Sequence, residues 1–229
     1  MKRDVGVVIV AAGSGSRTGS NELKQFRWVA GKPMLLHSLQ TFQARGDVAM
    51  VVCVLPREFV GDPPPWIFQS DADRLLLSVG GRHRSESVWN GLEDLPSECE
   101  IVVIHDAARP LVSAETIGRV VDEARKGNGA VAALPVIDTL KRVDSDGKVQ
   151  VTVDRFGLWR AQTPQAFPRK MLERAHEEAR KADRVATDDA ALCEQIGLTV
   201  VVVRGSERAA KITEENDFAL VEALSIFRE

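Results

Sequence analysis

Short, nearly unbroken apolar runs punctuate the chain at Val5–Val10, Val48–Val54, Leu75–Val79, Ile101–His105, Ala130–Leu134 and Thr199–Val203. Runs of this length without in–out alternation predict strands covered on both faces, as in a parallel sheet flanked by helices. Helical periodicity fills the intervals. It predicts helices from Pro33 to near Gly46, over Ser85–Leu95, and from a Ser113 cap to just before Gly127. Three more follow at Pro168–Ala182, Thr187–Ile196 and Thr213–Phe227, with Thr187 and Thr213 as N-caps ahead of acidic first turns. Such alternation implies an α/β fold, a doubly wound and mostly parallel sheet whose ligands lie beyond the carboxyl ends of its strands.

One stretch breaks this rhythm. "DTLKRVDSDGKVQVTVDR", residues 138–155, alternates with period two at Val149, Val151 and Val153 behind a "DSDG" turn. The pattern predicts a β-hairpin inserted into the α/β framework. A lone two-stranded hairpin is marginal in water, so it must lean on its own domain or on a second subunit. The whole chain, 1–229, reads as a single domain without repeats that contains the 138–155 arm, and "DPPP" at 62–65 as a stiff loop.

Composition narrows the function classes. Lys+Arg 30 against Asp+Glu 33 leaves a net charge of −3, which argues against a dedicated nucleic-acid surface. The three cysteines, Cys53, Cys99 and Cys193, have neither metal spacing nor an even count, which points to a reducing compartment. "MKRD" before "VGVVIVAA" has the look of a short signal peptide. The apolar run is brief, however, and leads straight into a glycine-rich stretch, so it reads as a first strand. No apolar run approaches the ~20 residues of a membrane span, and a cytoplasmic protein is expected.

Candidate chemistry gathers at two strand ends. In "VAAGSGSRTGSNELKQF", residues 10–26, the glycines miss the dinucleotide fingerprint, because Thr18 stands in the third glycine's place. They also lack the glycine–lysine pair of a P-loop. What remains is Ala11–Ala12, small enough for a base or ribose to approach. The backbone amides of Gly13, Ser14, Gly15 and Ser16 could form an anion-binding concavity, with Arg17 and Lys24 at either end. A plain surface turn is the alternative. In "VVIHDAARPLVS", residues 102–113, Asp106 closes a central strand three residues before Arg109. The two could form an ion pair that shapes a loop, or Asp106 could bind hydroxyls or Mg²⁺ beside a triphosphate. Both strand ends are lined with small residues and point to one shared crevice. His37, His83 and His176 have no ligand spacing, His105 reads as a hydrogen-bonded strand-end residue, Trp89 as core, and Asp188–Asp189 as a helix's first turn.

The segments "AAGSGSR…KQF", "GGRHRSESVWNGL", "HDAARP", "PVIDTLKR", "VDRFGLWRAQTPQAF" and "ATDDAAL" occur in that order. Together they resemble the 2-C-methyl-D-erythritol 4-phosphate cytidylyltransferases of the non-mevalonate isoprenoid pathway. The resemblance implies a Rossmann-like nucleotidyltransferase that moves CMP from CTP to methylerythritol phosphate with Mg²⁺, and a homodimer in which the 138–155 arm reaches its neighbour. Arg17 and Lys24 match the pair that stabilises the transition state, and Arg155 and Lys211 the pair that positions the substrate phosphate. Thr139, Thr163 and Thr187 match substrate-side hydroxyls, with Asp106 and Arg109 near the substrate. Gly81 and Ser87 match positions that read cytosine, alongside the backbone from Ala11 to Gly13. Leu23 and Glu215 stand where relatives commonly carry proline, and Arg82 where an acidic residue is frequent. A cytidylyltransferase for another polyol phosphate, such as ribitol 5-phosphate, is the nearest rival. An NAD(P)-dependent oxidoreductase is remote, given the failed glycine fingerprint.

Overall fold

The computed structural model of the chain describes residues 2–13, 22–184 and 186–227. In chain order the strands are β1 (Val5–Val10), β2 (Trp28–Val29), β3 (Lys32–Pro33), β4 (Val48–Leu55), β5 (Leu75–Val79), β6 (Ile101–Asp106), β7 (Gly129–Pro135), β8 (Leu140–Val143), β9 (Val149–Val153), β10 (Trp159–Pro168) and β11 (Val200–Arg204). The helices are α1 (Met34–Gln43), α2 (Arg57–Val60), α3 (Arg84–Glu93), α4 (Ala114–Arg125), α5 (Arg169–Lys181), α6 (Asp189–Gln195) and α7 (Asn216–Ile226). Seven strands form one sheet in the order β11-β7-β10-β6-β1-β4-β5. All its pairings are parallel except those of β10, which runs antiparallel to both β6 and β7.

The continuous apolar runs form strands because both sheet faces are covered. Along β1, Val5, Val7 and Ile9 enter the cluster under α1 and α4, while Val8 enters the cluster under α3, α5 and α6. Each such side chain contributes roughly 1.5–3 kcal/mol by leaving water. Helix α4 shows how the pattern works locally. Ile117, Val120, Val121 and Ala124 fall on one buried stripe. Ser113 Oγ accepts from Thr116 N at the start, and Gly127 follows the helix at φ +93°. On the opposite layer, a Cβ at Gly91 of α3 would meet Val8 Cγ1 at 2.6 Å, so glycine is what lets that helix lie against β1.

Three local expectations are corrected. The cap of α6 is Asp188, whose Oδ1 accepts from Ala191 N at 2.9 Å, rather than Thr187. Helix α7 starts after Glu215, not at Thr213. Asp217 Oδ2 accepts from Thr213 N, Thr213 Oγ1 and Glu214 N at 2.7, 2.7 and 2.8 Å, and these bonds hold the segment in a turn before the helix begins. Trp89 is half-buried rather than core. Its ring lies 6.0 Å from that of His176, with the Arg180 guanidinium over it at 4.9 Å.

The hairpin forms as expected, with β8 and β9 paired in a sheet of their own. It leaves Val143, Val149 and Val151 exposed at 49, 61 and 49%. Among the described residues, no helix is long and apolar enough to cross a membrane.

Candidate active site

The carboxyl ends of β1 and β6 open into a cavity of about 480 Å³. Its floor is backbone from Val10 to Gly13 and from Asp106 to Ala108, and its far wall is the turn from Gly81 to Arg84 with Ser87 behind. Small residues make the floor accessible. Gly80 lies so close to Ala12 that any Cβ there would collide with the alanine's own. Gln25 Nε2 donates to Ala11 O at 2.6 Å and to Gly13 O at 3.3 Å, holding the start of the glycine loop against the site. On the wall, Gly81 N donates to Ser87 Oγ at 3.0 Å, and Ser87 Oγ donates to His83 O at 3.2 Å.

Charge in the cavity is mostly positive. Lys24 Nζ donates to Ile212 O at 2.7 Å, which brings the segment after the glycine loop beside Lys211. Lys211 Nζ reaches Asp106 Oδ2 at 2.6 Å, while Arg84 Nε reaches Asp106 Oδ1 at 3.2 Å. Burial alone would push the Asp106 carboxyl up, but the charges of Arg84 and Lys211 outweigh it and hold the group well below the usual carboxylate range. Arg84 is half-buried, and Asp189 and Asp106 raise its pKa against the desolvation that would lower it. Lys24, Lys211, Arg82 and Arg84 thus line the cavity against one committed carboxylate, a wall suited to a polyanion.

Beneath Asp106 lies a second, neutral network. Asp106 N donates to Thr163 Oγ1 at 3.0 Å, and Thr163 Oγ1 stands 3.2 Å from His105 Nδ1. His105 Nε2 lies 3.1 Å from Arg109 O, so that nitrogen carries the proton and Nδ1 accepts from the threonine. Every polar group of this imidazole is engaged. Burial pushes its pKa down to about 4, so it is neutral at pH 7 and has no lone pair open to a substrate.

The structure gathers eight of the sequence candidates around the cavity: Ala11, Ala12, Gly13, Lys24, Gly81, Ser87, Asp106 and Lys211. Thr163 is buried behind it in the network to His105. Arg109 turns away from the cavity wall, its Nη1 donating to Ala209 O at 2.7 Å. Thr139, Arg155 and Thr187 are exposed and do not line this cavity, and Arg155 donates to Ile137 O at the base of the arm. Ser14, Gly15 and Arg17 lie outside the described residues. Sequence reading missed Arg84 and Gln25. Both lie in family-like segments, "KQF" and "GGRHRSESVWNGL", but nothing local gives either a partner, and those of Arg84 lie 22 and 105 positions away. A larger hollow of about 730 Å³ shares Gly81, Arg82 and His83 but extends from the end of β5 over Trp89, Arg180 and Arg184, away from the ends of β1 and β6. The smaller cavity has the strand-end backbone, the lysines and the carboxylate, and is the one equipped for chemistry.

Known proteins share this fold. The chain matches the family described as "IspD: 2-C-methyl-D-erythritol 4-phosphate cytidylyltransferase" over residues 5–226. It is 41% identical to the protein of that name from Syntrophus aciditrophicus (strain SB), covering 97% of this chain and 96% of the relative. It is 42% identical to that of Ralstonia nicotianae, covering 95% and 90%. Its fold superposes on the crystal structure of the Thermus thermophilus enzyme with a TM-score of 0.82 and 35% identity, covering 99% of this chain and 100% of that one. The likeness runs from β1 to α7 and takes in both strand ends that build the cavity; the chain belongs to the 2-C-methyl-D-erythritol 4-phosphate cytidylyltransferase family.

Proposed function

We propose that the chain transfers CMP from CTP to 2-C-methyl-D-erythritol 4-phosphate, giving 4-diphosphocytidyl-2-C-methyl-D-erythritol and pyrophosphate. One observation carries the reading for this chain's own residues: Lys24 and Lys211 converge on a cavity floored by bare backbone at the carboxyl ends of β1 and β6. An oxygen of the substrate phosphate attacks the α-phosphorus of CTP, and the bond from that phosphorus to the bridging oxygen breaks as pyrophosphate leaves. A phosphate monoester, with its second pKa near ~6, is already largely dianionic at pH 7, so the attack needs no general base. The fully engaged, neutral His105 is consistent with that. The demand is for positive charge where charge develops. We assign this role to Lys24 and to Arg17, with Lys211 and Arg155 holding the substrate phosphate. Backbone from Ala11 to Gly15, with Gly81 and Ser87, takes the nucleotide, and Asp106, Arg109, Thr139, Thr163 and Thr187 serve the substrate side.

Mg²⁺ fits this wall as a passenger of the nucleotide. Asp106 is the only carboxylate among the described lining residues, and both its oxygens are engaged by cations. No cluster of three metal-ligating side chains exists among the described residues. A cation held by phosphate oxygens and water, as Mg²⁺ prefers, needs none. When bound, it neutralises phosphate charge. The exposed valines of the hairpin, with Phe156 at 92% exposure and Ile137 at 67%, support a homodimer gripped by the 138–155 arm. Three unpaired, buried cysteines support a reducing, cytoplasmic setting.

The test is pyrophosphate release from Mg²⁺ and CTP with methylerythritol phosphate, ribitol 5-phosphate or glucose 1-phosphate as acceptor. Release confined to methylerythritol phosphate is the expected result. Release with ribitol 5-phosphate instead would move the enzyme to another substrate, and silence with all three would remove the assignment.

A further inference from the structure

Charges on the cavity wall and the buried groups behind it form a chain that the proposed reaction leaves unexplained. Asp106 shares its two oxygens between two cations that are held very differently. Lys211, on Oδ2, has a side chain 39% exposed and stands on an irregular segment between β11 and α7. Arg84, on Oδ1, opens α3 and is anchored from behind. Its Nη1 donates to Asp189 Oδ2 at 2.7 Å, and Asp189, 1% exposed, is held in turn by His176 Nε2 at 3.0 Å. One cation is fixed and the other can leave. The guanidinium also carries a loose end. Arg84 Nη2 is buried and has no hydrogen-bond partner, although its sister nitrogens Nε and Nη1 each hold a carboxylate. A buried donor without an acceptor is costly and calls for an explanation.

We propose that Arg84 is a positioning residue that takes over Asp106 when Lys211 transfers to the substrate phosphate. The freed Oδ2 of Asp106 turns onto Arg84 Nη2. The Nε–Nη2 edge of the guanidinium then grips both oxygens in a fork, and Asp189 keeps Nη1. No bond is made or broken except hydrogen bonds, and net charge in the wall is unchanged. The fork accounts for the idle donor and explains how a buried carboxylate survives the loss of its nearest cation. An arginine is required because a lysine ammonium is a single point charge without the planar edge that matches a carboxylate. With lysine at position 84, Asp106 would keep its hold on Lys211, and the substrate phosphate would have to compete for it. This inference rests on the assignment of Lys211 to the substrate phosphate.

The experiment is a double-mutant cycle of Arg84→Lys with Lys211→Met, reading kcat and KM for methylerythritol phosphate, with thermal melting as a fold check. The expected result is that Arg84→Lys alone raises KM about tenfold and changes kcat less than about threefold. In the Lys211→Met background the same substitution should shift KM by less than about twofold, because no lysine is left to transfer. An equal effect in both backgrounds, or an unmoved KM, overturns the transfer while leaving the reaction intact. If Lys211→Met alone leaves KM unmoved, the phosphate role of Lys211 fails and takes this proposal with it. Should Arg84→Lys fail to fold, Asp189→Asn keeps the shape of the anchor, weakens its grip on Arg84, and carries the same cycle.

Discussion

At the scale of single residues, His105 shows how burial decides chemistry. Its ring is fully buried, packed 5.1 Å from that of Phe42, with both nitrogens engaged. Burial lowers its pKa to about 4 from an ordinary value of 6.5, against the smaller raising effect of Asp106. Between those two values the unfolded chain binds a proton that the native imidazole refuses. Stability from this group is therefore complete above pH 6.5 and is lost as pH falls toward 4, by on the order of 3 kcal/mol. Urea unfolding of wild type and His105→Gln from pH 7.5 to 4.5 should show the variant losing much less stability over that window; parallel profiles would remove the assignment. Asp106 was legible from its place at a strand end, and Lys24 and Lys211 from segments resembling a family. Arg84 was not. It stands inside the family-like segment "GGRHRSESVWNGL" and places a cation in the first turn of α3, where the helix dipole disfavours positive charge, but its two carboxylates come from other elements, so neither signal gives its role.

At the scale of elements, two segments far apart in sequence are stitched into one wall. Arg27 follows the short helical turn Lys24–Phe26 and makes a two-pronged contact with Glu215, at 2.6 and 2.7 Å, with its guanidinium 3.9 Å over the ring of Phe218. Ala30 N donates to Glu222 Oε1 at 2.7 Å, so the β2–β3 turn also docks on α7. Glu215 stands where relatives of the resembled family commonly have proline. Here an ion pair supplies the restraint that a rigid ring would. Glu215→Gln is accordingly expected to speed amide exchange over residues 24–27 several-fold and to lower turnover less than about fivefold, with 1 M salt imitating the substitution in wild type. Exchange unchanged by the substitution would leave the clamp without a role. The apolar runs and most helices could be read from period alone, because each element's own side chains carry that signal. Strand β10 could not. "RAQTPQ" is polar and interrupted by proline, and it forms a strand only because β6 and β7 stand ready on either side. The starts of α6 and α7 were misplaced for a related reason. Several candidate caps sat close together, and only the folded turn decided which carboxylate closed it.

At the scale of the whole molecule, the direction of β10 sets the layout. Because it runs against its neighbours, its beginning, Trp159, pairs with Pro135 at the carboxyl end of β7, and Thr163 meets the end of β6. The arm therefore leaves the sheet on the rim that holds the cavity. If Arg155 serves the neighbouring subunit's cavity, Lys24→Ala and Arg155→Ala dimers, each impaired alone, should complement when subunits exchange. Lys24→Ala is expected to raise the barrier by on the order of 3 kcal/mol. A random equal mixture restores about a quarter of wild-type turnover, since half the dimers are mixed and each keeps one intact site. No recovery would place each site within one chain.

The reversed strand also has a pharmacological side. Trp159, Phe156 and the hairpin valines form an apolar handle fastened to the same rim as the lysines. A peptide or small molecule selected for that handle would compete with the second subunit proposed to cover it. It could silence the enzyme while resembling neither nucleotide nor sugar phosphate, and so would not have to compete with the cell's CTP.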